Sequence, residues 1–300
     1  MTADFSIRPA RPTDAAAVVA LRAAVYPYLV RGEASTRRML ASPPPGEDRI
    51  FLAAERGGEV VGSASAFRQP RSADPGFGQV SLHVHPDHRG RGVGVALLAE
   101  ATAHLRAVGV RRAGAWAVPE AVGFARGHGF EPSRELRYSA LDLTGFTGVP
   151  DPGPGIRLAG IREVDERALY DADVAAATDE PGDVPSQPTP YPTWRYEIWD
   201  EPGLDRDAST VALDGSAVVA FSLVLRDGDR VWSDMTATAP AYRGRGLARL
   251  VKTAALVRAA AGGVRTAYTS NDESNAPMLA VNARLGYRPV ATQLSCVAEL

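Results

Sequence analysis

Two stretches hold the residues of this chain best suited to chemistry. The first reads His85-Pro86-Asp87-His88-Arg89-Gly90-Arg91-Gly92-Val93-Gly94, and the second Ala239-Pro240-Ala241-Tyr242-Arg243-Gly244-Arg245-Gly246-Leu247-Ala248. In each, a β-rich run ends at a proline, Arg-Gly-Arg-Gly follows, and an Ala/Leu/Val-rich stretch of helical period begins. Glycine lets the backbone approach a ligand closely, and the first amides of a helix lack partners within it. With the positive helix end, those amides make a pyrophosphate site. Arg89 and Arg243 add charge beside it. A solvated strand–turn–helix connection would explain one such stretch. Two in matching contexts, 243 − 89 = 154 positions apart, point to a phosphate-bearing ligand in each half.

The residues resemble the signature of the GCN5-related N-acetyltransferases, the GNAT family. Its pattern Arg/Gln-x-x-Gly-x-Gly/Ala is matched by Arg89-x-x-Gly92-x-Gly94 and by Arg243-x-x-Gly246-x-Ala248. Each half also carries the family's later Gly-aromatic pair, Gly129-Phe130 and Gly286-Tyr287, so the resemblance covers most of both. It implies acetyl-CoA as cofactor, with the pyrophosphate on the amides of Gly90, Arg91, Gly92, Val93 and Gly94, and of Gly244, Arg245, Gly246, Leu247 and Ala248. It also implies that the pantetheine arm lies near Val84 and Thr238. The expected reaction is acetyl transfer to a primary amine of a small molecule by direct attack in a ternary complex. A non-catalytic acyl-CoA-binding or regulatory protein is the alternative from another class, and an N-terminal enzyme with a regulatory C-terminal half is a third.

Amine attack on a thioester needs a base or water chain for the ammonium, stabilisation of the thioester oxygen, and a proton for the departing sulfur. An exposed ammonium of pKa ~10.4 resists deprotonation at neutral pH by about 4–5 kcal/mol. In the family, an Asn that orders the cofactor arm and a Tyr that protonates sulfur precede the Gly-aromatic pair. By that resemblance Asn275 falls on the Asn position and Asn282 on the Tyr position. An asparagine cannot act as an acid, so water or Tyr287 is left for that role. In the first half Val118 and Ala125 take the two positions. Alternation along the preceding strand puts Asp234, Thr236 and Thr238 on one face, making Asp234 the base candidate, with Val80 as its first-half counterpart. Asp272 and Glu273 rank behind it, and helix capping by Ser274 explains that cluster equally well. Tyr191, Trp194 and Glu197 fall in the segment that shapes the acceptor pocket in GNATs, although packing accounts for the aromatics too. The C-terminal half is therefore the expected catalyst.

The elements that must position these residues recur in the same order on both sides of a Gly/Pro linker, 144–155, which separates expected domains 1–143 and 156–300. Short first strands (Ile7-Arg8-Pro9; Ile156-Arg157-Leu158) precede helices opening near Thr13-Asp14 and Val164-Asp165. Hairpins follow around Gly57-Gly58 and Asp214-Gly215, then the strand before each cradle (Val80–Val84; Val231–Thr238). Apolar residues at helical spacing, Leu97, Leu98, Ala101 and Leu105 in one half and Leu250, Val251 and Ala254 in the other, mark the helix after it. The predicted fold is α/β: two tandem GNAT-like domains, each a twisted, largely antiparallel sheet flanked by helices. Net charge −2 and pI near 6.2 give no general attraction to nucleic acid. No apolar stretch is long enough for a bilayer, Met1 to Phe5 shows no signal pattern, and a single cysteine, Cys296, excludes an internal disulfide. A cytoplasmic protein, monomeric or homodimeric, with no metal is expected.

Overall fold

The computed structural model describes residues 4–177 and 182–300. In chain order its elements are β1 (Ser6–Pro9), α1 (Ala15–Val25), α2 (Glu33–Ala41), β2 (Ile50–Arg56), β3 (Glu59–Arg68), β4 (Phe77–Val84), α3 (Val93–Ala107), β5 (Arg112–Ala117), α4 (Val122–Arg126) and β6 (Glu131–Asp142). The second half continues with β7 (Ile156–Gly160), α5 (Glu166–Ala177), α6 (Tyr191–Trp194), β8 (Thr210–Asp214), β9 (Ala217–Asp227), β10 (Arg230–Thr238), α7 (Leu247–Ala261), β11 (Thr266–Asp272), α8 (Ala276–Leu285) and β12 (Arg288–Glu299). Both predicted hairpins, β2–β3 and β8–β9, are present as antiparallel pairs. The architecture is mixed α/β, with largely antiparallel strands flanked by helices. Helix α2 was not foreseen, because Glu33–Ala41 carries no apolar stripe; its buried residues are Ser35 and Thr36.

The chain packs as two units, Met1–Leu136 with Asp183–Pro185 and Thr292–Leu300, and Arg137–Gly182 with Ser186–Ala291. In the first unit the strand order is β1-β2-β3-β4-β5-β12, and the β4–β5 contact is parallel. Helix α3 lays Val93 and Leu97 on Ala54, Val61 and Ala64, with Leu82 and Val84 beside them. On the opposite face Tyr26, at the end of α1, meets the His83 ring edge-on at 5.1 Å. The last strand of the chain belongs to this unit. Leu294 to Glu299 pair antiparallel with Ala117 to Arg112, and Cys296 and Ala298 enter the core cluster of Val80, Leu98, Ala113 and Phe130. Asp183 fixes the neighbourhood by accepting from Ser133 Oγ and Ser295 Oγ and pairing with Arg134 at 3.2 Å.

In the second unit the order is β6-β11-β10-β9-β8-β7, and again the contact below the cradle, β10–β11, is parallel, while β10 pairs antiparallel with β9. Helix α7 covers one face, packing Leu247, Leu250 and Val251 on Ala212 and Ala220. Helices α5 and α6 cover the other with Leu169 and Trp194, against Val211, Phe221 and Leu223. A bulge interrupts β10: Ser233 pairs with Val224 but Thr236 with Ser222, so Asp234 and Met235 together oppose one residue. The expected alternation therefore breaks between Asp234 and Thr236. Thr236 keeps its place by sharing a 2.9 Å hydrogen bond with Ser222 Oγ, while Met235 packs in the Trp194 cluster.

Candidate functional site

Each cradle is built from a strand end, a tight turn and a helix start, and the two repeat each other closely. Gly92 caps α3 at φ 85° and Gly246 caps α7 at φ 76°, a left-handed conformation that a side chain makes costly. A Cβ built at either glycine would meet no atom within 4 Å, so the space over both turns is open. Both helices run 15 residues, and their first intrahelical bonds are Ala96 to Gly92 and Leu250 to Gly246, so the amides before these have no partner within the helix. Arg89 Nε donates to the Val84 carbonyl at 3.3 Å, and Arg243 Nε donates to the Thr238 carbonyl at the same distance. Each arginine is thus tied to the strand that feeds its cradle, and Arg91 and Arg245 stand exposed alongside. An open turn, free amides and fixed guanidinium groups suit the diphosphate of a CoA-type cofactor.

In the first unit the cradle continues into a cleft of about 450 Å³. Leu82, Val84, Arg89, Gly92, Gly94 and Phe124 line it, with Tyr26 and Glu120 at its wall. Enclosure, with the Arg22 charge second, pushes His83 down to about 4, so its ring is neutral at pH 7.

In the second unit the parallel ladder of β10 and β11 runs from Arg230↔Thr266 to Trp232↔Tyr268 and stops. In the first unit the matching ladder reaches Val80↔Ala115, and Val80 lies two positions past Gly78, the counterpart of Trp232 by the 154-residue offset. The second unit therefore opens its strands two residues earlier. At the mouth of this wedge Thr269 Oγ1 donates to the Ser233 carbonyl at 3.1 Å. Asn282 Nδ2, from α8, donates to Asn271 Oδ1 on β11. Asn282 Oδ1, Ser233 Oγ, Tyr287 Oη and Thr238 Oγ1 are buried without a hydrogen-bond partner. Ser233 Oγ and Tyr287 Oη lie beside each other, and because an unsatisfied buried polar atom costs about 1–3 kcal/mol, the polar group at the parting of the strands suits a ligand or water.

The sequence-derived residues fall as follows. Asn275 caps α8, its Oδ1 accepting from the Met278 amide at 3.2 Å. Asp272 is taken up in the turn before α8, accepting from the Ser274 amide at 2.9 Å. Burial pushes the Tyr287 hydroxyl well above its usual range. Trp194 lies in the core with Tyr191 stacked on it, ring centroids 6.1 Å apart, and the Tyr191 hydroxyl donates to Glu166. Glu197 follows in the π-turn Arg195–Trp199. Asn271 was read only as part of the polar cluster before α8, and Thr269 and Ser233 were not singled out in the sequence. Neither was Lys252, fully buried on α7 under the wedge, although it is the only lysine in the chain.

The sequence profile of the "Acetyltransferase (GNAT) family" matches residues 19–130 and again 172–287. The chain belongs to this family. It is an acetyltransferase built of two GNAT repeats. It is 28% identical over 277 residues to a mycothiol acetyltransferase of Nocardiopsis dassonvillei, covering 83% of this chain and 82% of that one. To the mycothiol acetyltransferase of a Nocardioides species it is 31% identical over 69% of this chain and 76% of the relative. Its fold matches a tandem GNAT protein from the clavulanic acid biosynthesis pathway with a TM-score of 0.74 at 23% identity, over 98% of both chains. Among the described residues no helix is long and apolar enough to cross a membrane.

Proposed function

We propose that the acetyltransferase moves an acetyl group from acetyl-CoA to the primary amine of a small molecule by direct attack in a ternary complex, and that the C-terminal repeat does the chemistry. The observation that carries this reading is the set of orphaned buried oxygens where β10 and β11 part. The first repeat fills the positions of Asn282 and Tyr287 with Ala125 and Phe130, which pack in an apolar cluster. When bound, acetyl-CoA would supply an activated thioester. Gly244, Arg245, Gly246, Leu247, Ala248 and Arg243 would hold its diphosphate, and Thr238 and Asn275 would lie along its arm. The first cradle, from Arg89 to Gly94, together with Val84, would hold a second cofactor molecule without turnover. Similarity to mycothiol acetyltransferases puts small amine-bearing molecules related to mycothiol first among the acceptors to assay.

Asp234 is the proposed base, acting directly or through water from the bulge of β10, and Tyr191, Trp194 and Glu197 bound the acceptor side. Asp234→Asn is expected to lower kcat/KM by roughly 100-fold near pH 7 and less at pH 9, because a missing base matters less as the amine nears its own pKa. Release of CoA thiol, followed from pH 6 to 9.5 with a panel of amines, tests both statements. No thiol release with any amine would favour the cofactor-binding alternative, and a pH-independent defect would remove Asp234 from the base role.

A further inference from the structure

Of the chain's basic residues, 32 are arginine and one, Lys252, is lysine. A composition that places arginine wherever a positive charge is needed has kept lysine at one position, and that position is buried: Lys252 is 1% exposed. Among the described residues it has no hydrogen bond or ion pair, and its Nζ lies 5.1 Å from the centre of the Tyr287 ring. Ser233 stands beside the hydroxyl of that same ring, at the first position past the end of the β10–β11 ladder. Lys252 and Ser233 thus both adjoin Tyr287 where β10 and β11 part.

The first repeat serves as an internal control. Helices α3 and α7 have equal length and equal caps, and the 154-residue offset puts Leu98 at the position of Lys252. The Phe130 amide donates to the Ala125 carbonyl as the Tyr287 amide donates to that of Asn282, so these pairs correspond as well. Leu98, Ala125 and Phe130 share one apolar cluster. The same fold therefore closes at these positions with a leucine, an alanine and a phenylalanine. A partnerless buried amine is costly, and folding does not require it here.

We propose that Lys252 is the proton donor at the thioester end of the C-terminal wedge. This rests on the reading of the C-terminal repeat as the catalytic one. As the acceptor nitrogen bonds to the acetyl carbon and the carbon–sulfur bond breaks, the bond's electron pair stays on sulfur and Lys252 Nζ gives that sulfur a proton. The acceptor sheds its own surplus proton to Asp234 or water, and Lys252 is recharged from solvent. Asn282 has no proton to give, and an arginine would not release one. Strands β8, β9 and β10 and helix α8 pack on α7, and burial is the sole cause of the lysine's lowered pKa, with no charged group adding to it. Tyr287 is the titratable group facing the amine, and Arg258, further along α7, bonds Thr210 Oγ1 at 3.2 Å. Burial brings Lys252 down to about 7, where both of its forms are populated near neutrality.

A single lysine makes the test direct. In the full chain labelled with [13C]lysine, one side-chain signal is expected to titrate near about 7 rather than at the ordinary ~10.4, and to shift when CoA is added. Lys252→Leu, which installs the residue of the first repeat, is expected to raise Tm, leave the acetyl-CoA KM within roughly threefold, and lower kcat roughly 100-fold. It should also remove the fall in kcat as pH rises through the lysine pKa. Lys252→Met is the second variant should leucine disturb packing. A signal at the ordinary lysine pKa that ignores CoA would overturn the proposal, as would a Lys252→Leu enzyme with wild-type kcat and the same alkaline limb. If turnover survives Gly246→Trp, the C-terminal repeat is not catalytic and both readings fall. If it is lost there while Lys252→Leu is unaffected, only the proton-donor assignment falls.

Discussion

Gly246→Trp is expected to abolish turnover, to below roughly 1% of wild type, whereas Gly92→Trp retains most of it. Both glycines hold a left-handed φ, so both substitutions carry a backbone strain of about 1–2 kcal/mol. Both also put an indole into open space above a helix N-terminus. Strain and lost Tm are therefore common to the pair. Function separates them, because only the second cradle adjoins the wedge with its polar oxygens. Calorimetric titration with CoA should show the Gly246 variant short of one site per chain, or short of all binding if the first cradle is empty in solution. Undiminished stoichiometry would sink the cradle assignment. Folded Gly92 variants without turnover, beside active Gly246 variants, would move the chemistry to the N-terminal repeat.

Ending the chain at Ala291 is expected to unfold the first unit while the second keeps its fold. The lost segment supplies six strand pairs to β5 and the buried side chains of Cys296 and Ala298. Burial of these and of Leu294 contributes on the order of 4 kcal/mol, and the lost ladder adds to it. That is a large share of the ~5–15 kcal/mol by which domains are stable. Hydrogen exchange should lose protection in β4 and β5 and keep it in β9 and α7. Full protection of β5 in the shortened chain would show that β12 is dispensable.

Much of this was legible in the sequence because it is local. A strand ending at proline, a Gly-x-Gly turn and a helical stripe announce a cradle without any tertiary information, and Gly57-Gly58 and Asp214-Gly215 announce hairpins the same way. Alternation failed at Asp234 because a bulge is set by the partner strand, and no residue type at Ser233 or Asp234 demands one. The place of β12 beside β5 was hidden for the same reason: Thr292–Leu300 reads as a strand, but pairing partners are not written in a strand's own pattern. Lys252 was overlooked because a lysine in an Ala/Leu helix normally faces water. Its solitude among arginines was the available signal.

The route of the chain through the first unit also orders its birth on the ribosome. Strands β1 to β5 emerge early, yet the strand that covers β5 begins its pairing at Leu294, 294 − 117 = 177 residues after β5 ends at Ala117. At synthesis rates of roughly 5–20 residues per second, the stretch between them keeps β5 waiting for about 10–35 seconds. Throughout that interval β5 presents an open hydrogen-bonding edge, the kind of surface on which chains aggregate. Strand β6, which follows β5 in the chain, has its own partner in β11. Nascent chains of this acetyltransferase therefore carry that edge unpaired until β12 emerges, and chaperone demand should last as long.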